Sequence, residues 1–419
     1  MSAPTGRAVD RLGAGRDVDR VQPPAGVTTS LHELTTADGA RVTGVLHAIG
    51  GSTTVVALAH PRQMLAHHPM VAHLLQMGVS VWTQDTRSPN NDINLVHEQA
   101  LLDLAAGQVR LRELGFGTVL TFGHSGGGAL MAFYIEQAGL EPGSRIEVTP
   151  AGRPVPLAGA QLPVPDGALF LAPHPGPGQL LLTCIDPSVG DETDPLSVVP
   201  ELDMYDPGNG FVPAPDASSY EPGFLREYRA AQRRRVARID AAAREWAAGA
   251  AGHRARFART ADPRDRRAAL APRIITTYRT DADPRFVDPS IDPNDRPYGS
   301  LFGRRPDLTN SGLVGFGRLT TPDAWLSTWS AFAGNAGFER CAAGVHVPTA
   351  FVELTGDQAA FPDDSDRMFA AIAARDKTRH RVRGAHFGQP LAPGEPTGYA
   401  AAAEIIETWV GERFETVRG

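Results

Sequence analysis

Five short runs of apolar and β-branched residues, at 53–59, 79–83, 118–122, 168–172 and 348–354, carry few polar interruptions and are bounded by Gly, Pro or polar clusters. Runs of that length fit strands buried on both faces of a parallel sheet. Between them, apolar positions recur at helical spacing around Met70–Leu75, over Leu95–Leu114 with Gly115 closing the stretch, and over Ala129–Gln137. After the fifth run come a helix near Asp366–Ala374, a strand near Arg379–Arg383 and an amphipathic helix over Tyr399–Phe414. Strands alternating with helices predict an α/β fold, a mostly parallel sheet flanked by helices and joined by right-handed crossovers. One exception precedes it: Leu31–Leu34 and Val42–Leu46, separated by Thr36-Ala-Asp-Gly-Ala40, read as an antiparallel hairpin at a sheet edge.

The spacing of the strands is uneven. Residues 173–347 separate the fourth run from the fifth, far more than a crossover of a few to about a dozen residues requires, so the pattern predicts an inserted cap. The expected organisation is an N-terminal arm at 1–26, two parts of a core at 27–172 and 321–419, and a cap of helical and irregular structure at 173–320. Within the cap, Leu225, Tyr228, Val236, Ile239, Ala243 and Trp246 mark one helix from Pro222 to Trp246, on the order of 35 Å long. Asp-Pro, Asn-Asp and Pro-Tyr-Gly signals between 281 and 310 predict irregular structure.

Charge changes this picture little. The chain of 419 residues has a net charge of −7, which argues against nucleic acid as a partner, although residues 221–270 carry 13 arginines against six acids. A solvated helix face explains that excess better than an anion-attracting surface. The first ten residues lack the apolar core of a signal peptide and no stretch approaches 18 apolar residues, so neither secretion nor membrane insertion is expected. Two cysteines, Cys184 and Cys341, are too few for a disulfide framework and fit a reducing cytoplasm.

The chemistry converges on Gly123-His-Ser-Gly-Gly127, where the third run ends and a helix begins. A serine hydroxyl is a weak nucleophile, and a tight strand-to-helix turn exposes it while the flanking glycines relieve backbone crowding. Asp357 follows the fifth run as Gly356-Asp357, and His386 follows the strand near 379–383. The order Ser125, Asp357, His386, each beyond a strand end, resembles the α/β-hydrolase superfamily over about 28–172 and 320–414. The resemblance implies that Ser125 attacks a carbonyl carbon, His386 shuttles the proton and Asp357 orients the imidazole. His380 is the rival histidine but lies inside a strand; Asp363, Asp364 and Asp366 are rival acids but fall where a helix opens.

Two backbone N–H groups must face the developing oxyanion. Gly126 supplies one by the resemblance. The other comes from the loop after the first run, where the superfamily often has His-Gly and this chain has His60-Pro61. Pro61 has no N–H, so the resemblance favours Arg62, with Gln63 as second choice. His60, and Asp85-Thr86-Arg87 with Ser88 in place of a usual glycine, read as scaffold. No metal is expected from His60, His67, His68 and His73, whose spacing matches no zinc motif, and no nucleotide cofactor is expected because the glycines at 126–128 lack a following Lys. The sequence thus points to a cofactor-independent serine hydrolase acting on a small-molecule acyl substrate, an ester first, with amides, lactones and thioesters open to the same machinery. Carbon–carbon bond hydrolysis, acyl transfer and a binding protein that has lost its chemistry are the alternatives.

Overall fold

The computed structural model describes residues 21–417, so most of the expected arm lies outside the described residues. Strands β1 (Thr28–Thr35) and β2 (Arg41–Ala48) form the expected hairpin, with Leu34 opposite Val42. Then follow β3 (Thr54–Ala59), α1 (Met70–Gln76), β4 (Ser80–Gln84), α2 (His97–Glu113), β5 (Thr118–Ser125), α3 (Gly126–Gly139) and β6 (Gly167–Pro173). The chain returns to the sheet with β7 (Thr349–Gly356), α8 (Pro362–Ala371), β8 (Lys377–Ala385) and α9 (Gly398–Gly411). The eight strands lie in the order β1-β2-β4-β3-β5-β6-β7-β8, with every pair from β4 to β8 parallel and the pairs made by β2 antiparallel.

The unbroken apolar runs are explained by burial on two sides. On β6, Phe170 points into the layer formed with α2 and α3, whereas its neighbours Leu169 and Leu171 point into the layer formed with α1 and α9. Residues 129–135 of α3 are buried without exception, which is why that helix shows no polar face. Helix α8 begins four residues earlier than the sequence suggests, because Pro362 fits a first helical turn and Asp363 and Asp364 suit the positive end of its dipole.

Between β6 and β7 lie α4 (Pro177–Cys184), α5 (Pro222–Thr260), α6 (Pro263–Leu270), α7 (Phe338–Ala342) and a π-helical turn at Trp325–Trp329, joined by irregular segments. Of these, α4, α5 and the π-helical turn share an apolar cluster of Leu181, Tyr228, Val236, Ile239, Trp325 and Trp329 that also takes in Phe361 beyond β7, whereas Phe338 of α7 packs into the sheet core. Helix α5 has 39 residues, about 58 Å at about 1.5 Å per residue, and outruns the expected end at Trp246. Its buried face stops at Ala243, but the alanine- and arginine-rich stretch beyond it favours helix without needing a partner. Ala261, at φ 53°, closes it with its N–H on Phe257 O.

Candidate active site

Ser125 ends β5 with φ 56° and ψ −126°, a conformation rare for a residue with a side chain. The turn is tight enough that a Cβ on Gly123 would stand 2.6 Å from Gly127 O, and one on Gly127 would stand 2.5 Å from Ala59 O. Both glycines of the motif are therefore sterically required. The turn lifts the Ser125 hydroxyl above the carboxyl edge of the sheet, where β7 and β8 deliver their own end residues.

Ser125 Oγ lies 2.8 Å from His386 Nε2, and His386 Nδ1 lies 2.9 Å from each carboxylate oxygen of Asp357. The carboxylate is fixed in turn by the N–H groups of Ala359 at 2.6 Å and Ala360 at 3.1 Å, both donating to Oδ1. With His386 Nδ1–H donating to Asp357, Nε2 is left to accept from the serine. Strand order and the placement of these three side chains after β5, β7 and β8 decide the architecture. The fold is that of the α/β-hydrolases. The rivals stand elsewhere: His380 pairs with Val352 inside β8, Asp364 binds Arg285 and Arg367, and Asp366 binds Arg379.

Sequence reasoning missed a row of imidazoles beneath this site. Met70 N–H donates to His68 Nδ1 at 3.2 Å, His68 Nε2 donates to His124 Nδ1 at 3.2 Å, and His124 Nε2 donates to His386 O at 3.0 Å. The His124 ring also stacks on that of His386, with centroids 5.2 Å apart. Burial, followed by the neighbouring imidazoles His68 and His386, holds His124 well below the usual histidine range, so the His124 ring is neutral. The signal was present, since His124 sits inside the glycine–serine motif. His67 is not part of the row, and among the described residues no group of three or more His, Cys, Asp or Glu side chains is placed to hold a metal.

The oxyanion side requires a correction. Gly126 opens α3, and helix geometry leaves its N–H without an intrahelical acceptor. The Arg62 N–H, expected as the second donor, instead donates to His60 Nδ1 at 3.1 Å, and the second choice, Gln63 N–H, does the same at 3.0 Å. The loop curls around the His60 ring because Pro61 forces the turn and offers no donor of its own. His60 is thus the expected loop anchor. Thr86 Oγ1 ties the same loop through Pro61 O, and Arg87 bridges Asp38 and Asp103, which makes 85–88 scaffold.

Ser125 faces a pocket walled by Leu180, Leu301, Phe302, Phe316, Trp329 and Phe387, with His60, Arg62 and His174 at its polar end. All of these wall residues except Phe387 come from the segment between β6 and β7, which therefore covers the serine. Tyr205, Phe211, Tyr220 and Phe224 pack among themselves in the interior of that segment and line no part of the pocket. The Arg62 guanidinium is neutralised by Asp92 at 2.8 Å and lies over the Trp329 ring at 5.4 Å. Its charge is not free for a substrate.

No protein-family model and no curated protein matches the chain. Similar solved structures include DcsB in complex with its substrate analogue, at 12% identity and TM-score 0.46 over 92% of this chain and 99% of that one. Others are Est1E from Butyrivibrio proteoclasticus, at 10% identity and TM-score 0.45 over 91% and 98%, and the Pyrococcus furiosus esterase Pf2001, at 12% identity and TM-score 0.43 over 95% and 98%. Likenesses of this degree say nothing about what the present chain acts on. No described helix is long and apolar enough to cross a membrane.

Proposed function

We propose that the chain is a serine hydrolase that cleaves short-chain carboxylic esters through an acyl-enzyme on Ser125. The observation that carries this reading is the continuous hydrogen-bonded line from Ser125 Oγ through His386 to Asp357. In the proposed mechanism, Oγ attacks the ester carbonyl carbon while His386 Nε2 takes the hydroxyl proton. Asp357 stabilises the imidazolium so formed, and Gly126 N–H donates to the carbonyl oxygen as it becomes an anion. The C–O bond to the alcohol then breaks, and His386 returns its proton to the departing alkoxide. Water repeats the sequence on the acyl-enzyme and releases the acid.

Short acyl chains are favoured by size. About 50 Å³ of the pocket is open to the centres of water molecules, and a single water needs about 10–15 Å³, so the room suits an acyl group of a few carbons against aromatic walls. The two thiols support cytoplasmic residence: both are free and buried, with burial pushing Cys341 up to about 12 and Cys184 well above the thiol range, so neither competes as a nucleophile.

A panel of p-nitrophenyl esters from acetate to palmitate, with matching thioester, lactone and anilide substrates, tests the reading. Acetate and butyrate should turn over fastest, with an initial burst of p-nitrophenol stoichiometric with enzyme, and palmitate at least tenfold more slowly. Preference for palmitate would refute the size argument; no turnover of any acyl substrate would refute the reaction.

A further inference from the structure

His60 and His174 form an unassigned feature on the oxyanion side of the serine. His174 follows β6 directly, at the carboxyl edge that also carries Ser125, and both rings are buried against Gly126. A Cβ on Gly126 would stand 3.0 Å from His60 Nε2 and 3.1 Å from His174 Nε2. The glycine after the nucleophile thus leaves a cleft into which two imidazole nitrogens converge.

Which nitrogen bears the proton is fixed by the opposite side of each ring. His60 Nδ1 accepts from the Arg62 and Gln63 N–H groups, and His174 Nδ1 accepts from Gly176 N–H at 3.1 Å. A neutral ring that accepts at Nδ1 carries its proton on Nε2. Burial, followed by Arg62 and neighbouring imidazoles, holds His60 well below the ordinary range, and burial, followed by His386, His97 and Arg62, puts His174 at about 3. Neutrality at His174 also spares the His386 imidazolium a like charge during proton transfer. Neither Nε2 has an acceptor among the described residues.

From this arrangement we infer that the Nε2–H groups of His60 and His174 join Gly126 N–H as the oxyanion donors, replacing the backbone donor that the loop after β3 cannot supply. The inference rests on Ser125 being the nucleophile. The substitution has a direct physical origin: Pro61 has no N–H, the next two N–H groups are spent on His60 Nδ1, and those bonds polarise the ring so that its Nε2–H donates more strongly. The donor is thus relayed through the ring from backbone to side chain. Because the donors are preorganised in a site screened from water, they need not reorient when the carbonyl oxygen gains charge.

Asn and Gln variants separate the two ends of each ring. Asn can place Oδ1 where Nδ1 accepts and so keeps the loop bonds while removing the Nε2 donor; Gln can place a donor near Nε2. His60→Asn and His174→Asn should each lower kcat by about 10²–10³ with KM within threefold, and the Gln variants should recover at least tenfold of that loss. Wild-type protein provides a second measurement that is independent of variant folding. With ¹⁵N-histidine labelling, two imidazole Hε2 resonances should move when a fluorophosphonate forms an adduct on Ser125. Asn variants with kcat within threefold of wild type, or an adduct on Ser125 that leaves both Hε2 resonances in place, would overturn the inference and leave the serine mechanism standing. An adduct on another residue would overturn the serine mechanism itself.

Discussion

The sheet and the segment inserted between β6 and β7 are stabilised by different means, and the difference explains why one was readable and the other was not. Within the sheet the strands satisfy each other's backbone groups, so the layers on both faces can be almost wholly apolar, and polar side chains gather at the carboxyl edge where the site lies. The inserted segment has long irregular stretches whose carbonyls lack ladder partners, and arginines supply the donors. Arg296 donates to the carbonyls of Arg285, Asp288, Ile291 and Asp292, and the fully buried Arg235 donates to Asp186 O while pairing with Glu192 at 2.7 Å. Part of the arginine excess on α5 is therefore structural: Arg229 and Arg235 turn inward, while Arg234, Arg238 and Arg244 stay on the solvent face.

The largest effect should separate chemistry from stability at the sheet edge. Asp357→Asn and His386→Ala should each lower kcat by about 10⁴ while shifting the melting temperature little, and the double variant should be no worse than the single ones. Normal rates in Asp357→Asn would remove the acid from its role.

Next in size are two substitutions that pit the regions against each other. Arg235→Met takes the closest donors from the Glu192 carboxylate, which keeps only Arg238 at 3.4 Å, and from the Asp186 carbonyl, and should cost about 3 kcal/mol in urea unfolding; adding Glu192→Met should restore part of it. Leu120→Ala in the apolar layer should cost about 2–5 kcal/mol, with no second-site charge removal able to restore it. Equal, non-recoverable losses would erase the distinction.

Acid should act on the regions with opposite sign. The buried imidazoles at the site bind protons less readily folded than unfolded: His97 is held at about 4 and His174 at about 3 by burial, and His60 and His124 well below 6.5. The unfolded chain takes up protons first as pH falls below 6.5, so stability is lost toward pH 4, by up to about 1.4 kcal/mol per pH unit for each ring. Asp281 in the inserted segment is pushed up to about 6 by burial, against 3.8 when unfolded, so the folded state protonates first and gains stability over pH 6 to 4. The four rings should outweigh the one carboxyl, and Asp281→Asn should steepen the acid loss measured by thermal melts. A flat profile between pH 7 and 5 would contradict the assignment of neutral buried rings.

The smallest effect concerns charge. Because Arg62 is paired with Asp92 inside the pocket, kcat/KM for anionic and neutral esters should respond to added salt alike, within about twofold. A steep fall for the anionic ester alone would restore a steering role to the arginines.

These contrasts also set the limit of what the chain disclosed unaided. Ser125 and Asp357 were legible because each lies directly beyond an apolar run, and His386 because it follows the last strand of the alternating order. The pocket was not. Phe302, Phe316, Trp329 and Phe387 share no period, and other aromatics of the same segment, Tyr205 and Phe211 among them, pack in its interior instead. The end of α5 was missed because its last turns follow helix propensity after the apolar stripe has stopped. Arg62 failed as a donor for a reason no pattern encodes, the turning of its N–H onto a ring two residues earlier. His174 could have been found, since it too directly follows an apolar run.

The central claim, that Ser125 is the nucleophile of a hydrolase, is tested most directly by intact-mass and peptide-mapping analysis after treatment with a fluorophosphonate. The account predicts one adduct per chain, located on Ser125, absent in Ser125→Ala and formed in parallel with complete loss of ester turnover. An adduct mapped to another residue, or full turnover by Ser125→Ala, would contradict it.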